Sequence, residues 1–167
     1  MRWDKLFADL ESQADEDALA ERDALIEDLS EGEWAGTSWR QLCGGYVRVE
    51  AVGIGHVEGE VMSINERLLH VRAPHADTLI SPASVLVVSS WSRRADPVTS
   101  VSSRLGWPAA FRLCQRDQDR VKVHRVDGTM NTGLVAQVGQ DFVQIRDDAD
   151  KSILIPLAAI SAVSCPR

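Results

Sequence analysis

"RVDGTMNTGLVAQVGQDFVQIRDD", residues 125–148, carries an Asp-Gly turn, a glycine inside a strand-like run, and a second turn before another apolar run. An Asp-Gly pair between alternating apolar residues is a strong short-range hairpin signal. A glycine within a strand marks sharp bending or a close backbone approach. The stretch therefore reads as bent antiparallel strands.

The pattern occurs twice. At a constant offset of 74, without gaps, residues 46–82 fall on 120–156. Val47, Val49 and Val52 land on Val121, Val123 and Val126. Gly59 lands on Gly133, Val61 on Val135, Arg72 on Arg146 and Pro82 on Pro156. "YVRVEAV" and "RVKVHRV" alternate apolar and charged residues at period two, as a half-buried strand does. "VEGEVMSI" and "MNTGLVAQV" supply a second strand with its interior glycine, and "RLLHVRA" and "DFVQIRD" a third. "DTLISPASVLVVSS" and "KSILIPLAAISAVS" supply a fourth strand, a proline-marked turn and a fifth. Five short bent strands in each copy describe a small barrel.

Charge divides the chain further. Its 167 residues carry −7 overall, but residues 1–40 hold four basic residues against twelve acidic, a net −8. Trp3, Leu6, Phe7 and Leu10 recur at helical spacing there, giving an acidic helix with one apolar docking or association face. "TSWRQLCGG" reads as a short helix capped by Thr37 or Ser38 and stopped by Gly44 and Gly45. Between the two copies, Arg93, Arg94, Arg104, Arg112 and Arg116 face Asp96 and Asp117, a net +3. "SSRLGWPAAFRLCQR" in this connection reads as a short helix with Pro108 breaking it or beginning a turn. The expected organisation is mainly β with helices. An acidic helical segment (1–40) is followed by a first barrel (41–90), a basic linker with a short helix (91–118) and a second barrel (119–167).

The second copy resembles the first signature of Sm-like proteins, in which a strand ending in Asp-Gly leads to a glycine-containing bent strand, a turn and a strand closing on acidic residues. Residues 121–149 follow that layout, with Asp127–Gly128 at the turn and Gly133 in the bent strand. The whole chain also resembles a family of small actinobacterial proteins that begin like "MRWDKLFADLE", carry an acidic helix and contain paired "PLAAI"-type barrel units. Some of its members are described as transcription regulators, although no helix-turn-helix is legible here. The resemblance implies two tandem Sm-like five-stranded barrels joined by a helical linker. It implies RNA binding only where the base-holding turn matches. Those positions are Gly139, Asp141 and Val143 in the second copy and Asn65, Arg67 and Leu69 in the first. The Arg-Gly of the later turn is replaced by "SPASV" and "PLAAI".

Chemistry is sparse. The glycines of "AVGIGHVEG" lie between strands and not at a helix entry, so they make no phosphate loop. His56, His70, His75 and His124 lack zinc-ligand spacing, although His70 and His75 could meet across a loop. No G-x-S-x-G elbow is present, and the Asp147–Asp148 pair belongs to a solvated turn. Cys43, Cys114 and Cys165 read as three inert thiols of a reducing cytoplasm. The expectation is a non-enzymatic cytoplasmic interaction or regulatory module, with no cofactor, no metal and no membrane, that engages a protein partner or itself. The alternative is a nucleic-acid-binding protein in transcription or RNA handling. Arg93, Arg94, Arg104 and Arg112 with Trp91 and Trp107 would then make the contacts. The acidic helix could dock on this basic connection until a partner displaces it.

Overall fold

The computed structural model describes residues 31–89 and 105–166. The chain divides into two compact units, Met1–Ser38 and Trp39–Arg167. In the first, residues 31–35 are helical. Thr37 does not cap the helix that follows: its hydroxyl donates backwards to the Glu33 carbonyl at 2.7 Å. The proposed face of Trp3, Leu6, Phe7 and Leu10 lies outside the described residues.

Among the described residues, the second unit opens with the four-residue helix α1 (Trp39–Leu42) and carries ten strands. They are β1 (Tyr46–Ala51), β2 (Gly55–Ile64), β3 (Leu69–Arg72), β4 (Ala76–Ile80), β5 (Val85–Ser89), β6 (Arg120–Arg125), β7 (Met130–Val138), β8 (Phe142–Arg146), β9 (Ser152–Pro156) and β10 (Ile160–Pro166). Helix α2 (Trp107–Asp117) lies between β5 and β6 in the sequence. Pro108 stands in its first turn, where a missing N–H costs nothing, and Gln118 in the left-handed region ends it.

All ten strands join one antiparallel sheet in the order β5-β1-β2-β3-β4-β10-β6-β7-β8-β9. This corrects the expectation of an acidic helix leading two closed five-stranded barrels. A closed first barrel would need β4 to pair with β5. Instead β4 pairs with β10, Ala162 opposite Ile80 and Ser164 opposite Thr78. On its other side β10 pairs with β6, Val163 opposite Val123. The backbone groups that closure would have used are satisfied by the far half of the chain, and the sheet stays open.

Strand β10 therefore serves two cores. Ala162 packs with Val47, Val49, Leu69, Val71 and Ile80, whereas Ile160 and Val163 pack with Phe111, Val121, Val123, Val143, Ile145 and Ile155. Its stretch Ile160–Val163 is buried on both faces. The seam is tightened by a turn from the first half. Gly53, at φ +83°, lies so close to Arg125 that a Cβ there would overlap the Arg125 carbonyl oxygen, and the Ser161 hydroxyl donates to the Val52 carbonyl.

The two bent strands owe their glycines to close approach. A Cβ at Gly59 would overlap the Arg72 carbonyl, and one at Gly133 the Arg146 carbonyl. Val47 pairs with Gly59 and Val121 with Gly133, an offset of 74 in each strand. Past the β3–β4 turn the offset becomes 75. Leu69 opposes Ile80 where Val143 opposes Ile155, and Val49 opposes Val88 where Val123 opposes Val163. Pro82 and Leu157, not Pro156, begin the corresponding helical turns Pro82–Ser84 and Leu157–Ala159. The second half carries one extra residue in its turn, so the ungapped match ends there.

Candidate functional site

Two features of the sheet have chemical character: a groove beside the seam, and its outer edges. The groove, about 470 Å³ in volume, is lined by His56, His75, His124, Lys122, Thr78 and Ser164, with Glu58 and several apolar side chains completing it. Its polar floor is a ladder across three strands. Thr78 Oγ1 lies 3.3 Å from Ser164 Oγ, and Ser164 Oγ lies 3.5 Å from His124 Nε2. Burial and then the charge of Lys122 hold the His124 imidazole below its usual range, which favours the neutral ring. Thr78 shares the Ser164 hydroxyl, so the geometry is that of a cross-strand ladder.

Three of the four histidines reach this groove although they are scattered through the sequence. His70 and His75 do not meet. His70 Nε2 turns to Asp77 Oδ1 at 3.5 Å, within reach of the Arg72 guanidinium at 3.7 Å from the same oxygen. No group of three or more His, Cys, Asp or Glu among the described residues is arranged to hold a metal ion. The period-two pattern of β6 gave His124 a place on the strand, but only the β4–β10 pairing, between segments 86 residues apart, brings Thr78 beside Ser164.

Three of the base-holding positions of the Sm resemblance have other occupations. Leu69 and Val143 are fully buried core residues. Asn65 shapes its own turn by accepting from the Arg67 and Leu68 amides at 2.7 and 2.8 Å, and its Nδ2 donates to the Leu105 carbonyl at 3.1 Å. The Asp141 carbonyl accepts from the Leu157 amide at 2.8 Å. Of the basic connection, Trp91, Arg93, Arg94 and Arg104 lie outside the described residues. Trp107 stacks on Phe111 with ring centroids 5.8 Å apart and packs against the second core. Arg112 is exposed on α2, and Arg116 pairs with its neighbour Asp117 at 2.8 Å.

The outer edges are strands β5 and β9, each with one neighbour among the described strands. Their positions correspond to those of β10 and β4 at the seam. At the seam Ser161, Ala162 and Val163 are 0%, 0% and 2% exposed. At the β5 edge the corresponding Leu86 and Val87 are 67% and 46% exposed, and Val88 is half-buried. Leu154 on β9, at 64% exposure, corresponds to the half-buried Leu79 of β4. The same strand positions are covered at the seam, Leu79 in part, and uncovered at the outer edges of the sheet.

Comparison of the chain with protein-family models and with curated proteins finds no match. Among the described residues, no helix is long and apolar enough to cross a membrane.

Proposed function

We propose that the chain is a non-enzymatic interaction module that associates with further copies of itself by adding strand β9 of one copy to strand β5 of the next. The observation that carries this reading is the contrast in burial between seam and edge. Leu86 and Val87 are large apolar residues standing in solvent at the positions that β10 buries at the seam, and Leu154 stands in solvent where Leu79 of β4 is half-buried. An edge strand offers unpaired N–H and C=O groups, and one with apolar side chains invites pairing. The internal seam supplies the template for how such a pair would register.

Because β5 and β9 are different surfaces, the contact is head-to-tail and can propagate, closing into a ring or running on as a filament. The three cysteines, none of them in a disulfide, suit a reducing cytoplasm as the place of action.

Sedimentation velocity across a range of protein concentrations tests the reading. The expected result is a mass that rises with concentration and changes little with salt, since the contact is apolar and backbone-mediated. A monomer at every concentration would refute it. A nucleic-acid module, in contrast, would bind oligonucleotides with an affinity that falls steeply as salt is added.

A further inference from the structure

The three cysteines are not equivalent. Cys43 sits in the first core, 1% exposed, and burial pushes its thiol up to about 11. Cys114 and Cys165, which are 51 residues apart in sequence, bring their sulfurs to 3.8 Å. Cys114 lies on the buried face of α2 with Ala110 and Phe111. Cys165 is half-buried near the end of β10, opposite Asp77 of β4. Geometry has therefore placed a helix thiol against a thiol of the seam strand.

The pair is also electronically unequal. The 3.8 Å contact with Cys165 favours the Cys114 thiolate and outweighs burial and the opposing charges of Asp119 and Asp117. The same contact, with burial and the charges of Cys114, Asp119 and Asp77, raises Cys165. The shared contact lowers Cys114 and raises Cys165, so Cys114 is the readier of the two to ionise. That is the arrangement of an attacking and a resolving cysteine.

We propose that Cys114 and Cys165 form a reversible disulfide when the protein meets a hydroperoxide. The Cys114 thiolate attacks the outer peroxide oxygen and the O–O bond breaks. This leaves a sulfenic acid on Cys114 and an alkoxide or hydroxide that takes up a proton. The Cys165 sulfur then attacks the sulfenic sulfur, its proton leaves with the departing hydroxide as water, and the S–S bond forms. Two thiols are oxidised by two electrons, and one hydroperoxide is reduced to water and its alcohol, or to two waters for hydrogen peroxide. The sulfurs close from 3.8 Å to about 2.05 Å. The bond ties α2 to the strand that both cores share, and closing so long a loop raises the melting temperature by several degrees.

The test uses the reduced full-length chain and stoichiometric hydrogen peroxide, followed by intact mass, thiol titration and non-reducing peptide mapping. The expected result is a mass lower by two hydrogens, a fall from three free thiols to one, a mapped bridge between Cys114 and Cys165, and reversal by dithiothreitol. Cys43→Ser should keep the same bridge and its reversal, with free thiols falling from two to none. Cys165→Ser should lose the bridge and instead accumulate a dimedone-reactive sulfenic acid at Cys114. If that variant does not fold, the peptide map of the unaltered chain decides by itself. Three intact thiols in the folded, peroxide-treated protein would overturn the proposal, and so would a bridge that joins Cys43 or links two chains.

Discussion

Gly53 is a point of close approach between the two halves of the sheet. Its φ of +83° already disfavours a side chain, and its Cα faces the Arg125 carbonyl. Gly53→Ala is expected to cost roughly 2–6 kcal/mol, the sum of left-handed strain and a backbone clash. Gly55 provides the control, because it has φ +82° and no atom near its missing Cβ. Gly55→Ala should cost only about 1–2 kcal/mol. Chemical denaturation of the two variants measures the difference, and equal losses would mean that the seam contact contributes nothing. His124 supplies a second residue-scale outcome. Its folded-state pKa is depressed, so the unfolded chain binds the proton more readily and stability falls as pH drops below about 6.5. Melting temperature should decline between pH 7 and pH 5, and His124→Gln should flatten part of that decline. The same decline in the variant would remove His124 as its source.

At the scale of elements, the sequence was informative about strands and uninformative about their neighbours. Period-two alternation located β1 and β6, and the interior glycines at 59 and 133 marked the bent strands correctly because each answers a local carbonyl. Pairing across the seam carries no such local signature. Strand β10 reads in sequence as the last strand of its own half, yet its Ser161 and Ala162 are small and buried because β4 and the 52–54 turn press on them. The exposed Leu86 in the corresponding position of β5 was visible in "SVLVVSS", but a sequence cannot say whether an apolar residue has found a cover. The groove was hidden for the same reason, since its histidines sit on different strands. Substitution at the edges tests the elements directly. Leu86→Lys blocks the β5 edge and Leu154→Lys the β9 edge, so each variant alone should remain monomeric by sedimentation. An equimolar mixture should give a dimer and nothing larger, because one free β9 meets one free β5. Independent monomers in the mixture would contradict head-to-tail pairing.

In the whole molecule, the proposed association continues the ten-stranded sheet from copy to copy in the register of its own seam. Ser164 opposes Thr78 inside the chain. By the 75-residue correspondence of these strands, Ser89 of one copy should oppose Ile153 of the next. The prediction is specific enough to separate this interface from generic association of apolar surface. Ser89→Cys and Ile153→Cys variants are mixed and mildly oxidised, and the bridged peptides are identified by mass spectrometry. The expected product is an intermolecular bridge between positions 89 and 153. Bridges confined to like positions, or none between the two chains, would contradict it.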